Sequence, residues 1–216
     1  MNLSKIDRAV QRLEARLPIR QRQSRLDEPL RQLHQRILRH YLERGTAPKA
    51  TDLGNPGDWC EQLDRLATDG IIVLDTAGAI VGAYPFTSEP REFRVTTRYG
   101  TVDAMCAFDA LAVSSMFELP VSIESRCRLS GQAITIEQDR GEIRVTRPAA
   151  PLFAAIAWNA ASAAGSCSAT LCCEMFFIAG EKAAQDWRDE GPDDREMFDP
   201  AEAHALITAV FLPLMR

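Results

Sequence analysis

The chain has 216 residues and a formal net charge of −5, and it is 46% hydrophobic and 25% charged. These values are average for a globular protein, so a disordered chain and a fibrous protein are both excluded. The longest apolar stretch, residues 151–165, is interrupted by Asn159 and Ser162 and is too short and too polar to span a bilayer. Since no apolar core of signal-peptide length follows Lys5 and Arg8, we expect a soluble, cytoplasmic protein.

Charge is divided unevenly along the chain. Residues 1–49 carry 12 Lys and Arg against 5 Asp and Glu, whereas the remainder carries 13 against 25. A basic amino-terminal segment on an acidic body is typical of two parts with different surfaces. The segment could contact nucleic acid, but a solvated basic helix is the simpler interpretation.

The first 84 residues predict helices followed by a hairpin. Apolar residues at helical spacing predict three helices, and two β-branched runs around a turn predict two short strands. Helix, helix, helix, hairpin is the order of a winged helix-turn-helix, so residues 1–84 are expected to form a winged-helix-like domain with a basic N-terminal extension. The expected helices are 4–17, 28–44 and about 56–70, and the expected strands are 71–74 and 80–84.

Residues 85–216 mix strands with a few helices, which predicts an α+β domain with mixed or antiparallel strands. The predicted fold class of the whole chain is therefore α+β, with a helical domain preceding this second one. The expected strands are 91–99, 121–128, 134–137, 143–146 and 175–178, and the expected helices are 102–117, 160–164, 181–188 and 200–212; residues 152–158 fit either state.

The chemistry available to the chain is that of thiols and carboxylates. It has no P-loop, GxGxxG, HExxH or GxSxG motif, and no CxxC pair or zinc-finger spacing. In a cytoplasmic protein the cysteines should mostly be reduced thiols. They are Cys60, Cys106, Cys127, Cys167, Cys172 and Cys173.

Two short patterns among these cysteines are candidates for a site. Cys106 and Asp109 stand three positions apart on an expected helix, which places them on one face. A carboxylate disfavours the neighbouring thiolate, but it can accept the thiol's proton and give it away later. On spacing alone, the favoured interpretation is that Cys106 is a buried packing residue and that a neighbouring group satisfies Asp109. Cys172 and Cys173 are expected on a strand, where adjacent side chains point to opposite faces, so only one of them should enter a given pocket.

Several short segments, in their order and approximate spacing, resemble the alkylmercury lyase (organomercurial lyase) family. They are Met105-Cys106-Ala107-Phe108-Asp109-Ala110-Leu111, Ser125-Arg126-Cys127 with Ser130-Gly131, Cys172-Cys173 leading into Phe176-Phe177, and Asp186-Trp187. The resemblance covers roughly residues 30–190. It implies an alkylmercury-lyase-type catalytic domain over residues 85–216, and the helix-rich residues 1–84 fit that family's winged-helix-like domain.

The resemblance also implies roles for three residues. Cys106 and Cys172 would be the thiolates that bind mercury, and Asp109 the proton donor that also contacts the product metal. The implied reaction is protonolysis of a carbon–mercury bond, which gives a hydrocarbon and Hg(II) held by the two cysteines. Thiolates suit this task because they are the soft ligands that soft metals prefer.

The same resemblance implies the partners of the reaction. The substrate would be a small organomercurial, no cofactor would be required, and cytosolic small thiols would accept Hg(II). A mercuric reductase would be the downstream partner in mercury resistance, and no membrane would be involved.

The sequence departs from the family pattern at two places. Glu174 and Met175 follow the paired cysteines, where that family commonly has histidine-containing sequence, and this departure bears on the electrostatics of the pocket. Cys167 is a thiol for which the pattern has no role. Cys127, on an apolar strand, is expected to be structural.

Two other function classes remain as alternatives. One is a winged-helix DNA-binding regulator that senses metal through its cysteines. Acidic residues outnumber Lys49 and Arg65 near the expected recognition helix, so nucleic acid is not an expected partner. The other is a thiol-based metal carrier without bond cleavage, which would have no use for Asp109.

Overall fold

The structure is a computed structural model in which residues 4–54, 59–160 and 169–215 are described. None of the helices described there is long and apolar enough to cross a membrane. The α-helices are α1 (Lys5–Glu14), α2 (Ile19–Ser24), α3 (Glu28–Arg44), α4 (Trp59–Thr68), α5 (Ala107–Phe117), α6 (Glu181–Asp189) and α7 (Pro200–Phe211). The strands are β1 (Ile72–Leu74), β2 (Ile80–Ala83), β3 (Phe86–Thr87), β4 (Arg94–Thr97), β5 (Gly100–Ala104), β6 (Val121–Arg126), β7 (Ala133–Asp139), β8 (Glu142–Arg147), β9 (Leu152–Ala157), β10 (Met175–Ala179) and β11 (Arg195–Phe198).

The strands form two antiparallel sheets, which confirms the expected α+β class. The larger sheet has eight strands in the order β1-β2-β3-β5-β4-β6-β7-β8, and the smaller has three in the order β10-β9-β11. The two sheets meet just after β6, where Cys127 forms an isolated bridge with Phe177 and the Arg128 N–H donates to the Phe177 carbonyl at 2.9 Å. Backbone contacts beside β10 therefore join the two sheets, and the chain itself returns from Cys127 to β7 of the larger sheet.

Helix α5 is the central element of the core. All its residues are buried except Ser115 and Phe117, which are partly buried, and the helix packs against α7, β10 and the larger sheet. Aromatic contacts surround it, with Phe108 edge-on to Phe198 and Phe86 close to Phe117, at centroid distances of 5.9 and 5.7 Å. A helix buried on all sides has no polar face, so its position in the core is set by packing rather than by amphipathic patterning.

The start of α5 differs from the expected helix over residues 102–117. Residues 100–104 form β5 instead, paired with β4, and the helix begins only at Ala107. The reason is a tight hairpin after β4, from which Val102 and Ala104 alternate inward at period two. Cys106 is therefore the residue that precedes the helix rather than a residue within it.

Other expectations have mixed outcomes. The three helices expected in residues 1–84 correspond to α1, α3 and α4 and, like the hairpin, lie within a few residues of their expected bounds, whereas α2 has no expected counterpart. Residues 152–157 form a strand. Cys172 and Cys173 lie in a 3-10 turn, Leu171–Glu174, so the expectation that they lie on a strand is wrong. Strand β11 has no counterpart among the expected elements, and the expected helix at 160–164 falls mostly outside the described residues.

Helix α3 begins and ends with residues suited to those positions. The Asp27 side chain accepts the N–H of Leu30 at 3.1 Å, which caps the amino terminus. Gly45 ends the helix with φ of +71°, a conformation that L residues rarely adopt. A Cβ atom at that position would also collide with the carbonyl oxygen of Thr101 on β5, so a glycine is needed for the close approach of α3 to the sheet.

The basic amino-terminal segment contacts the acidic body of the same chain. Helix α1 packs against α7, and the Lys5 ammonium lies 2.5 Å from the Glu202 carboxylate. Arg12 pairs with Asp194 at 3.2 Å, and its guanidinium lies 4.7 Å from the centroid of the Trp158 ring. Lys5 and Arg12 of the basic segment thus pair with acidic residues of the same chain, and these contacts stabilise the position of α1.

The expected division at residues 84 and 85 falls inside the larger sheet. β2 pairs with β3 through Ala83 and Phe86, so hydrogen bonds of one sheet continue from one expected domain to the other. The two segments therefore share a backbone ladder as well as side-chain contacts.

We expect Leu13→Ala to lower the free energy of unfolding by about 2–5 kcal/mol, because the side chain is 1% exposed and its loss leaves a cavity between α1 and its neighbours. Urea denaturation followed by circular dichroism measures this change. Gln11→Ala on the exposed face of the same helix is the control and should change stability by no more than about 0.5 kcal/mol. Equal effects of the two substitutions would contradict the packing of α1 against the body.

Candidate active site

Three ionisable side chains from separate parts of the chain meet at the amino end of α5. Cys106 follows β5, Asp109 lies in the first turn of α5, and Cys172 lies in the 3-10 turn before β10. One ligand atom of each residue lies within 4.8 Å of those of the other two, and all three residues are buried. The two cysteines are 66 positions apart in the sequence, and the structure brings them close enough to share one metal ion.

Cys106 occupies the N-cap position of α5. Its backbone is extended, and its sulfur accepts the backbone N–H of Asp109 at 3.4 Å. This is the hydrogen bond that a serine or aspartate oxygen usually makes at a helix start. Because the N-cap and the third helical residue face each other, the cap places the Asp109 carboxyl beside the Cys106 sulfur.

Burial sets the protonation of this pair. It raises the pKa of the Cys106 thiol to about 12; a hydrogen bond with Cys172 opposes this rise and the Asp109 charge adds to it. Burial likewise raises the pKa of the Asp109 carboxyl to about 7, opposed by hydrogen bonds with Cys106. Near neutral pH, Cys106 is thus a neutral thiol and Asp109 is close to the midpoint of its titration.

The Asp109 carboxyl has an unused hydrogen-bonding atom. Its Oδ2 is buried and has no hydrogen-bond partner among the described residues. A buried oxygen without a partner is costly, and such atoms occur where a ligand or a moving proton is expected. Asp109 can therefore hold a proton at this oxygen and deliver it to a group bound by the cysteines.

A fourth side chain, Met175, touches the site from the first position of β10. The Cys106 thiol donates to the Met175 sulfur at a distance of 3.6 Å, and Met175 is only 3% exposed. From the sequence, Met175 is only a departure from a family pattern, and no local signal places it in the site. The adjacent Glu174, by contrast, points away and lies 3.5 Å from Arg128.

A cleft of about 460 Å³ lies beside Cys172 and extends to the surface. Arg91 and Arg128 lie on its walls, where Arg91 contacts the Cys173 sulfur at 3.5 Å and Arg128 donates to the Cys173 carbonyl at 3.0 Å. The lining residues are Pro90, Arg91, Glu92, Phe93, Met105, Arg128, Cys172 and Cys173. A small molecule in this cleft would reach the buried cluster from the Cys172 side.

The remaining cysteines lie elsewhere or outside the described residues. Cys127 is buried, and its sulfur accepts the Ala179 N–H at 3.3 Å. Burial alone would raise the pKa of Cys127, but N–H donors and the Ser130 side chain hold it below the ordinary value. Cys60 is exposed on α4, and Cys167 falls outside the described residues.

The three clustered side chains can bind a soft metal ion and hold a proton beside it. Two thiols at this separation can bind one soft metal ion once they lose their protons, and metal binding itself drives that loss. The carboxyl beside them can accept one of the protons, because its raised pKa makes it a better base than an ordinary aspartate. The cluster therefore combines a soft-metal site with a proton store.

Comparisons with known protein sequences agree with one another. A sequence model of the alkylmercury lyase family (MerB) matches residues 86–212, which include all three clustered side chains. The chain is 27% identical over 146 residues to the alkylmercury lyase of Staphylococcus epidermidis, an alignment that covers 67% of this chain and 64% of that protein. It is 26% identical over 143 residues to that of Bacillus cereus, covering 66% and 63%. The chain thus matches less than two thirds of the length of these relatives.

A solved structure shares the fold over nearly the whole chain. It is described as the crystal structure of the mercury-bound form of MerB2, and it superposes with a TM-score of 0.71 at 19% sequence identity. The superposition covers 97% of this chain and 98% of the other. At this identity the likeness establishes the fold, including the helices that precede the region matched by the family model.

We expect the buried Asp109 carboxyl to make stability depend on pH. The folded protein holds this proton more tightly than the unfolded chain, so its contribution is complete below pH 3.8 and is lost as the pH rises through about 7. Relative to Asp109→Asn, the wild type should therefore lose free energy of unfolding over that window, by on the order of a few kcal/mol.

Urea denaturation of both proteins at about pH 5 and about pH 8 measures this difference. Glu124→Gln, at an exposed carboxyl on β6, is the control for the loss of one negative charge. A difference between wild type and Asp109→Asn that stays constant with pH would contradict the raised pKa.

Proposed function

The chain belongs to the alkylmercury lyase family, and we propose that it catalyses the protonolysis of carbon–mercury bonds, giving a hydrocarbon and Hg(II). The observation that carries this proposal is the buried cluster of Cys106, Asp109 and Cys172, whose ligand atoms lie within 4.8 Å of one another. Two soft ligands and one proton donor are what the cleavage of a bond between carbon and a soft metal requires.

The first proposed step is capture of the organomercurial by thiols. A cysteine sulfur bonds to mercury and displaces the ligand that came with it, and the proton of that cysteine leaves with the displaced group. The second cysteine then bonds to the same mercury and passes its proton to Asp109. The Cys106 thiol is neutral at rest, and its high pKa means that the proton leaves only as mercury takes its place.

The second proposed step breaks the carbon–mercury bond. Two thiolates on mercury raise its electron density, and the electron pair of the carbon–mercury bond becomes available to a proton. Asp109 delivers its proton to that carbon, so a C–H bond forms, the carbon–mercury bond breaks and the hydrocarbon leaves. Mercury stays as Hg(II) on Cys106 and Cys172, with the Asp109 carboxylate beside it, and no electron is gained or lost overall.

Water exclusion supports this order of events. Cys106, Asp109 and Cys172 are 1%, 2% and 3% exposed, so water has little access to the mercury ion or to the proton on Asp109. A proton held in such a place is transferred to the bound carbon rather than exchanged with solvent. The raised pKa of Asp109, about 7, suits a group that must first accept and then donate a proton near neutral pH.

We propose the following setting for the reaction. The site needs reduced cysteines, so the protein would act in the cytoplasm, where thiols are kept reduced. The chain's own side chains supply every group that the steps above use, so we propose that no cofactor is required. Small cytosolic thiols would remove Hg(II) through the cleft beside Cys172, and a mercuric reductase would complete the detoxification.

We also propose different roles for residues 1–84 and residues 85–216. All three proposed site residues belong to residues 85–216, the proposed catalytic domain, and residues 1–84 would support it. Helix α3, helix α4 and the β1–β2 hairpin follow one another in winged-helix order, which supports a winged-helix-like origin for that part. A metal carrier would have no need for Asp109 in the cluster. Lys5 and Arg12 of the basic segment are paired with carboxylates of the same chain, so this segment adds no argument for a DNA-binding regulator.

We expect Cys106→Ala and Cys172→Ala each to abolish hydrocarbon release, because mercury needs both thiolates to activate its bond to carbon. The assay is benzene release from phenylmercury in the presence of excess small thiol, measured by gas chromatography. Cys60→Ala should retain activity, since that thiol is exposed on α4 and outside the cluster. Retained turnover in either cluster variant would disprove the two-thiolate scheme.

We expect Asp109→Asn to separate cleavage from metal binding. Asparagine keeps the shape of the side chain but cannot donate a carboxyl proton, so benzene release should fall by a factor of about 10²–10⁴. Binding of inorganic Hg(II), measured by competition with a small thiol, should change little because the thiolates supply most of the affinity. Benzene release that Asp109→Asn leaves at the wild-type rate would remove this residue from the mechanism.

A further inference from the structure

The Met175 sulfur lies against the clustered side chains, and the proposed mechanism does not use it. The Met175 sulfur lies 3.6 Å from the Cys106 sulfur, within hydrogen-bonding distance of the thiol. Met175 is 3% exposed, so its side chain is enclosed with the reacting groups rather than directed to solvent. Met175 pairs with Ile156 on β9, and this backbone pairing fixes the position of the Met175 Cα atom.

Methionine has the right chemistry for a soft metal. Its thioether sulfur carries no proton and no charge, and thioethers, like thiolates, bind soft ions in preference to hard ones. Ionisation of the neighbouring cysteines adds negative charge to the buried site, but a thioether adds a donor without adding further charge. A third ligand of this kind is therefore compatible with the low exposure of the site.

We propose that the Met175 thioether is a third sulfur ligand that contacts mercury while Cys106 and Cys172 bind it. This inference rests on the proposed function for the identity of the metal. When mercury binds Cys106, it takes the place of the thiol proton, and the Met175 sulfur lies 3.6 Å from the sulfur that loses this proton. A mercury ion bound to the Cys106 sulfur therefore has the thioether sulfur within reach.

The distance between the two sulfurs fits this role. Two sulfurs 3.6 Å apart can both lie about 2.3 Å from one ion, the length of a zinc–sulfur bond, with an angle of about 100° between the bonds. That angle is within the range of three- and four-coordinate metals, so neither side chain has to move far.

The contact has a defined place in the reaction sequence. A lone pair on the Met175 sulfur is donated to mercury when the first thiolate binds, and no bond within Met175 forms or breaks. The added electron density helps to hold the organomercurial while the second thiolate approaches. The donation ends when an external thiol displaces Hg(II), so Met175 positions the metal and is restored unchanged.

The test compares wild type, Met175→Leu and Met116→Leu. Leucine conserves the volume of methionine but lacks sulfur, and Met116 is a buried methionine near the other end of α5, away from the cluster. Each protein is loaded with one equivalent of inorganic Hg(II), and X-ray absorption at the mercury edge counts the sulfur neighbours. Affinity for Hg(II) is measured by competition with a small thiol, and benzene release from phenylmercury is measured in parallel.

We expect three sulfur neighbours in wild type and in Met116→Leu, and two in Met175→Leu. The affinity of Met175→Leu for Hg(II) should fall by about tenfold or more, as is typical when a group that supports a metal site is removed. Two sulfurs in the wild type would overturn the proposal without any variant, even if Met175→Leu failed to fold. Equal affinity and equal sulfur counts in all three proteins would overturn it as well.

The same measurements separate this inference from the proposed function. A wild type that binds Hg(II) through three sulfurs but releases no benzene would overturn the lyase activity and support the third ligand. A wild type that releases benzene but binds Hg(II) through two sulfurs would support the lyase activity and overturn the third ligand.

Discussion

Cys106, Asp109 and Cys172 are all withdrawn from water, and this desolvation governs the chemistry of the site. A charged carboxylate or thiolate inside a protein costs several kcal/mol even after the surroundings relax. The chain meets this cost by keeping the Cys106 thiol neutral and by moving the pKa of Asp109 to about 7. The resting site therefore holds protons in place of a metal, and a soft cation is the species that can exchange with them.

This constraint explains why the amino end of a fully buried helix carries the site. Helix α5 is covered by the larger sheet, by α7 and by β10, so its first turn is shielded from solvent by these elements. The turn also supplies the backbone N–H of Asp109, which the Cys106 sulfur accepts. A helix start favours negative charge, and this partly offsets the cost of forming a thiolate there when metal binds.

The position of Cys172 depends on how the two sheets are joined. Cys127 and Arg128 connect the end of β6 to β10 through a sulfur acceptor and a backbone hydrogen bond. The 3-10 turn that precedes β10 is thereby placed over the start of α5, which brings Cys172 to Cys106. Cys127 therefore contributes to the fold at the junction of the two sheets, although it is not one of the three clustered residues.

The α+β class, the helix from Glu28 to Arg44, the β7–β8 hairpin and the three residues of the candidate cluster are predictable from the amino-acid sequence. These features depend on local patterns, such as periodicity, caps and turns, or on short segments that resemble a known family. Local patterns did not reveal that β5 runs to Ala104 and leaves Cys106 as an N-cap, because that boundary is set by pairing with β4.

Which groups share the site, and in which protonation state, follows from packing between distant parts of the chain. The Cys172 turn and the Met175 sulfur reach Cys106 through the packing of β10 against α5, and sequence separation carries no information on that contact. The raised pKa values of Cys106 and Asp109 likewise come from burial by many distant residues. A sequence lists the ionisable groups, but desolvation is a property of the folded surroundings, so only the fold determines what those groups can do.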